Sequence, residues 1–238
     1  MTRIGILGGT LDPIHCGHLA AAIAARDLLD LTEVLVVPSR IPPHRLVQPI
    51  ASAFHRFAMA CLAVSNVPRL AASDDELRAE GTSYTADTLE RLRSRASRLS
   101  PLVPSQIFFI TGVDAFADIA TWKRYPEVLD LANFVVVARP GHALDGLRSK
   151  LPSLVDRMHP ASDAGAGGAG TSIYLLPAST PDVSSTEVRD RLRRGQSITG
   201  LVPPLVETHI LQHALYSACA DAAADERANE LHGQNREN

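Results

Sequence analysis

The stretch Gly8-Gly9-Thr10-Leu11-Asp12-Pro13-Ile14-His15-Cys16-Gly17-His18-Leu19 decides how this chain is read. It follows the apolar run Ile4-Gly5-Ile6-Leu7 and precedes an Ala-rich run to Leu29. That order predicts a strand, a tight turn and a helix beginning near His18. Glycine has no Cβ to block positive φ or close approach of the backbone to a ligand, and Gly8, Gly9 and Gly17 are placed to exploit this. A helix starting at such a turn aims N–H groups and the positive end of its dipole into it, which favours phosphate. His15 and His18 add side-chain donors at the same spot. Reading His15, Cys16 and His18 as zinc ligands leaves the set short of four, and no second Cys/His cluster is spaced to complete it. The run from Gly5 to Thr10 supplies neither the G-x-G-x-x-G of a dinucleotide fold nor the G-K-[ST] of a P-loop.

Working outward, 238 residues of which 45% are hydrophobic can build one substantial α/β core with a small helical appendage. The net charge of −3 provides no basic field for nucleic acid, so a small-molecule substrate is expected. Cys16, Cys61 and Cys219 are isolated, an odd set without a CxxC, which suits a reducing cytoplasm and no disulfide. No apolar run reaches the length of a membrane span, and the first residues lack a signal-peptide pattern. A soluble, cytoplasmic protein with no membrane partner is therefore the expectation; nothing in the sequence decides against a homo-oligomer.

Short β-branched runs alternate with longer helical patterns, the mark of repeated βαβ units. Strands are expected at residues 3–7, 34–37, 107–111, 134–138 and 173–176, and helices at 18–29, 51–64, 85–98, 126–131 and 144–155. The fold expected is α/β, a Rossmann-like open parallel sheet with helices on both faces. A small C-terminal helical part is expected from about residue 184. It comprises a helix capped by Ser184 with Glu187 at its third position and closed by Gly195, then a last helix from Pro203-Pro204 to about Cys219. Residues 161–171, rich in Gly and Ala, read as a flexible loop. The nucleotide-handling domain is placed at residues 1–218 and a flexible polar tail at 219–238.

Ligands of open parallel sheets bind beyond the carboxyl ends of the strands, and four more constellations fall there. Pro38-Ser39-Arg40-Ile41-Pro42-Pro43-His44-Arg45 stiffens a loop that presents His44 and Arg45; a solvated surface arginine is the plain alternative. Glu80-Gly81-Thr82-Ser83-Tyr84-Thr85-Ala86-Asp87-Thr88-Leu89 opens a helix whose first N–H groups can meet an anion, unless Ser83 and Thr85 only cap it. Ile110-Thr111-Gly112-Val113-Asp114 ends a strand, with Gly112 permitting close approach and Asp114 able to accept from ribose hydroxyls. Trp122, the single Trp, stands soon after in a polar loop, as a stacking surface for a flat heteroaromatic ligand or as core. In Val183-Ser184-Ser185-Thr186-Glu187-Val188-Arg189, a helix N-terminus plus Arg189 makes a second phosphate cradle, with Val188 and Leu192 facing the core.

The first string resembles the (H/T)xGH signature of the adenylyl- and cytidylyltransferase superfamily, and its longer wording resembles GGTxDPIHxGH of the nicotinate mononucleotide adenylyltransferase branch. PPHR, GTSYTADTL and VSSTEVR resemble that branch's PPHK, GxSYTxDTL and ISSTxIR. Departures are Leu11 for Phe, Cys16 for Asn, Arg45 for Lys and Val183 for Ile. The resemblance implies transfer of an adenylyl group from ATP, with Mg²⁺, to nicotinate mononucleotide. It implies His15, His18 and Arg189 as catalytic residues. It implies ATP contacts from Gly8, Gly9, Thr10, His15, His18, Gly112, Asp114, Ser185, Thr186 and Arg189. Mononucleotide contacts fall to His44, Arg45, Tyr84, Thr85 and Trp122, with no protein-held metal. Within the same enzyme class another phosphate acceptor stays open, such as phosphopantetheine or nicotinamide mononucleotide. Outside it, a non-catalytic nucleotide sensor would be marked by loss of a motif histidine or of Arg189; all three are present.

Overall fold

The computed structural model describes residues 2–43, 50–96, 102–138, 144–164, 170–178 and 180–217. Seven parallel strands form one sheet: β1 (Ile4–Gly9), β2 (Glu33–Pro38), β3 (Leu70–Ala72), β4 (Ile107–Gly112), β5 (Asn133–Val137), β6 (Met158–Pro160) and β7 (Ile173–Leu176). Their order across the sheet is β3-β2-β1-β4-β5-β7-β6. The helices are α1 (Cys16–Leu28), α2 (Ala53–Val64), α3 (Asp75–Arg78), α4 (Thr85–Ala96), α5 (Val113–Phe116), α6 (Asp145–Lys150), α7 (Ser185–Arg193) and α8 (Pro204–Gln212).

A strand covered on both faces must be apolar at consecutive positions, with alternate side chains going to opposite sides. The central strands obey this. Leu7, Phe108, Ile110, Val135 and Val137 pack with Ala22 and Ala25 of α1, Met59 of α2, Val188 of α7 and Ile210 of α8. Ile6, Phe109, Phe134 and Val136 pack on the other face with Ala86 and Leu89 of α4 and Phe116 of α5. Each such large side chain withdrawn from water contributes about 1.5–3 kcal/mol. The sheet order turns in opposite directions on either side of β1 and β4, so a crevice opens beyond their carboxyl ends, where ligands of such sheets bind.

The sheet and its layers match the expectation, and several details differ. The edge strands β3 and β6 have only three residues each, too few to show a period of two, and β6 contains the proline an edge tolerates. Helix α1 starts at Cys16, with His15 as its N-cap, two residues before the expected start. Pro152 splits the helix expected over 144–155 into α6 and a 3₁₀ segment, Pro152–Arg157. Residues 126–131 hold only a 3₁₀ segment, Glu127–Asp130. Helix α4 is described to Ala96, so the expected end at Arg98 lies outside the described residues. Helix α8 stops at Gln212 instead of running to Cys219, because Ala214 and Tyr216 take left-handed φ of 48° and 63°. The loop expected from Ala161 begins with a 3₁₀ turn, Ala161–Asp163, and its residues 165–169 lie outside the described set. His44, Arg45, Cys219 and the 219–238 tail also lie outside it. Among the described residues no helix is long and apolar enough to cross a membrane.

Candidate active site

Two cavities lie along the crevice and share Thr111 of β4. The larger, about 550 Å³, is bounded by Gly8, Gly9 and Thr10, by Tyr84 and Thr85 at the start of α4, and by Trp122. The smaller, about 200 Å³, is lined by His15, Gly17, His18, Gly112 and Asp114, and by Asp182, Ser184 and Glu187 around the start of α7.

The glycines act differently from the expectation. The positive φ of the turn falls on Leu11, at 51°, whose side chain is buried to 3% exposure. A left-handed non-glycine residue costs about 1–2 kcal/mol, so the surroundings must hold it. Gly17 lies inside α1, where a Cβ would stand 3.1 Å from Nδ1 and Cε1 of His15. Its missing side chain is the space in which the His15 ring sits. The His15 and His18 rings then pack at a tilt of 31° with centroids 3.7 Å apart. The backbone N–H of His15 donates to Nδ1 of His18 at 3.2 Å, which in the neutral ring puts the proton on Nε2. At the start of α1, the Cys16 N–H donates to the Leu201 carbonyl and the His18 N–H to the His15 carbonyl. The side chains therefore carry more of the donor function here than the helix terminus does. Burial pushes the Cys16 thiol above its ordinary pKa, so this cysteine is not an activated nucleophile.

At α7 the cap forms as expected: Ser184 Oγ accepts the Glu187 N–H at 3.1 Å, and Gly195 has φ 65°. The Glu187 carboxylate pairs with Arg191 at 2.9 Å. Val188 is fully buried and Leu192 packs on the core. Ser185 Oγ donates to the Pro13 carbonyl at 2.9 Å, and Arg189 Nη1 donates to the Asp12 carbonyl at 2.6 Å while Nη2 reaches Thr186 Oγ1 at 3.2 Å. The cradle and the histidine turn are thus one bonded unit. Arg189 is 9% exposed and borders neither cavity.

In the larger cavity, Ser83 Oγ accepts the N–H groups of Arg40 and Ile41 at 2.9 and 3.4 Å. Its hydroxyl ties two walls together and does not serve as a helix cap. Trp122 is half-buried, edge-on to Phe109 at 5.9 Å and to Phe134 at 6.3 Å, so it is anchored in the core and also faces the cavity. Lys123 Nζ pairs with Asp87 at 2.9 Å and lies 4.4 Å from the Tyr84 ring centre. Two buried polar atoms of residues on this wall, Ser39 Oγ and Glu76 Oε2, have no hydrogen-bond partner among the described residues, while Glu76 Oε1 accepts from Thr88 at 2.6 Å.

Sequence reasoning missed the residues that hold the turn. Asp12, 1% exposed, accepts the N–H groups of Ile50 and Ala51 at 3.0 and 3.1 Å and the Tyr216 hydroxyl at 2.7 Å. Arg56, also 1% exposed, donates to the carbonyls of Thr10, Ala51 and Arg40. The available signal was a charge inside the apolar run of α2.

A family profile described as cytidylyltransferase-like matches residues 6–191. A Geotalea daltonii protein named "Probable nicotinate-nucleotide adenylyltransferase" is 40% identical over 218 residues, spanning 90% of this chain and 98% of its own. One of the same name from Thermus thermophilus is 41% identical over 216 residues, with 90% and 99% covered. In fold, the chain is similar to the Plasmodium falciparum nicotinic acid mononucleotide adenylyltransferase complexed with NaAD. The TM-score is 0.67 at 20% identity, over 91% of this chain and 98% of that one.

Proposed function

The chain belongs to the cytidylyltransferase-like family, and from that premise we infer that it is a nicotinate-nucleotide adenylyltransferase working in NAD biosynthesis. It joins ATP and nicotinate mononucleotide into nicotinate adenine dinucleotide and releases pyrophosphate. The observation that carries this reading is the pair of cavities meeting at Thr111, one walled by histidines and a helix cap, the other by an aromatic ring and a helix start. They suit a triphosphate and a pyridine mononucleotide placed end to end.

The 5′-phosphate of the mononucleotide attacks the α-phosphorus of ATP in line; the new P–O bond forms as the bond to pyrophosphate breaks. The attacking phosphate is already an anion, so no protein nucleophile or strong base is required, and catalysis rests on positioning and charge stabilisation. His15 and His18 donate to the ATP phosphates, while Gly8, Gly9 and Thr10, expected from the sequence as ATP contacts, line the larger cavity and floor the junction from the mononucleotide's side. From the start of α7 it is Ser184 and Glu187 that line the smaller cavity, so Ser185 and Thr186, which border neither cavity, serve the departing pyrophosphate by holding that helix start in place. Arg189 acts through the turn it holds, a positioning role in place of the direct phosphate contact expected from the sequence. Gly112 and Asp114 serve the ATP side. Mg²⁺ enters with ATP as part of that substrate; of the three carboxylates lining the smaller cavity Glu187 pairs with Arg191, and Asp114 and Asp182 would accept from the waters the ion brings. His44 and Arg45 are proposed to take the mononucleotide's phosphate, Trp122 its ring, and the start of α4 at Tyr84 and Thr85 its carboxylate. Cys16 and Cys61 are free thiols, which fits the reducing, ATP-supplied cytoplasm we propose for the reaction.

The test is pyrophosphate release with each mononucleotide at saturating ATP and Mg²⁺. A carboxylate at the positive end of α4 gains charge-assisted bonds that a carboxamide forfeits. We expect kcat/KM at least about tenfold higher for nicotinate mononucleotide, a difference of about 1.4 kcal/mol or more. A ratio near one would remove the acid specificity; no release with either substrate would remove the activity.

A further inference from the structure

Three histidines that border neither cavity converge where α2 packs on α8. His55 lies in the first turn of α2, His209 on α8 and His213 at its C-cap. The spacing of four residues puts His209 and His213 on one helix face. His55 Nδ1 is 3.1 Å from His209 Nε2. The His213 ring centre lies 4.9 Å from that of His55 and 4.5 Å from that of His209. One nitrogen from each of the three lies within 4.8 Å of the other two.

A tetrahedral ion with Zn–N bonds of about 2.0–2.1 Å holds its ligand nitrogens about 3.3–3.4 Å apart. One pair already stands near that spacing, and side-chain rotation can bring in His213, which is exposed and gives an ion its entry. No carboxylate of the described residues joins the group. Imidazole alone selects borderline transition metals and not Mg²⁺ or Ca²⁺, which require oxygen ligands.

We propose that His55, His209 and His213 form a three-imidazole site for a divalent transition metal of the zinc class, which pins α8 to α2. The site is distinct from the Mg²⁺ that accompanies ATP and stands whether or not the reaction proposed above is correct. Its place in the fold gives it a consequence. Helix α2 follows the Ile50-Ala51 segment that Asp12 holds, and α8 leads to Tyr216, which reaches the same carboxylate. A bound ion links from outside two elements that Asp12 links from within.

The experiment is titration of chelator-treated full-length protein with Zn²⁺, read by competition with a chromophoric chelator and by thermal unfolding. Wild type should bind one ion with a micromolar or tighter Kd. Its Tm should rise by about 5–10 °C at a free Zn²⁺ one hundred times Kd. His209→Phe and His213→Gln should each weaken binding at least about tenfold and abolish most of the Tm rise, millimolar Mg²⁺ should not compete, and the metal-free variants should unfold cooperatively. His213→Gln is at an exposed position, so its folding is not in question. Binding weaker than micromolar in wild type, competition by Mg²⁺, or an unchanged Kd and Tm rise in either variant would overturn the proposal; the last result would locate the ion on other histidines.

Discussion

Asp12→Asn tests whether the histidine turn is held from below. The aspartate accepts three hydrogen bonds in a site 1% exposed, two from backbone N–H groups of Ile50 and Ala51 and one from the Tyr216 hydroxyl. Asparagine has nearly the same shape but only one acceptor oxygen, and its NH₂ must face a donor. Bonds to a charged acceptor contribute about 1.5–3 kcal/mol each, and a buried donor left without a partner costs a similar amount. One bond lost and one donor stranded gives a destabilisation of about 3–6 kcal/mol, or about 6–24 °C in Tm for a domain of this size. Tyr216→Phe removes the donor instead, and the double variant should fall short of the sum of the singles by about 1 kcal/mol or more, because the two groups share one bond. Urea unfolding of the four proteins supplies the cycle. The backbone carbonyl of Asp12 is also held by Arg189, and His15 stands three residues on. A shift of about 1 Å at the reacting groups is enough for roughly a hundredfold loss of rate. Hence kcat for pyrophosphate release should drop more than about tenfold in Asp12→Asn. Stability within about 0.5 kcal/mol of wild type, with additive singles, would refute the claim that this carboxylate organises the turn.

His18→Ala should lower kcat by about 100- to 1000-fold with smaller effects on either KM, the usual outcome for losing one preorganised donor; a drop below about threefold would remove His18 from the reaction. Trp122→Ala should raise KM for the mononucleotide far more than for ATP, by the equivalent of about 1–3 kcal/mol of stacking. It should also lower Tm, because the ring packs edge-on against Phe109 and Phe134; equal KM changes for both substrates would count against stacking. Burial first, then the Asp12 charge, raises the Tyr216 pKa above its ordinary value. Its contribution to stability should therefore be complete below pH 10 and fall by about 1.4 kcal/mol per pH unit above it. Urea unfolding between pH 8 and 11 should show that slope in wild type and a shallower one in Tyr216→Phe, and identical slopes would reject it.

What was legible in the sequence is what the chain makes locally. The strand running into Gly8-Gly9, the Ser184 cap with Glu187 and the β-branched runs of the central strands each depend on neighbours within a few residues, and each appears at or near its expected place. The supports of the turn depend on residues far apart in the chain. Asp12 meets Ile50 across 38 positions and Tyr216 across 204, and Arg189 meets Asp12 across 177. No periodicity encodes such pairs. The same cause explains the C-terminal error. The composition after Pro204 continues to favour helix, but a helix through Tyr216 would turn its hydroxyl away from Asp12, and left-handed φ at Ala214 and Tyr216 brings it back. Trp122 shows a further limit, because the sequence offered core and ligand platform as alternatives and the folded ring does both. The groups that line the crevice can be read from order along the chain because a strand end and a helix start suffice to present them. Their rigidity cannot, since it comes from buried charges such as Asp12 and Arg56 whose partners only the fold brings within reach.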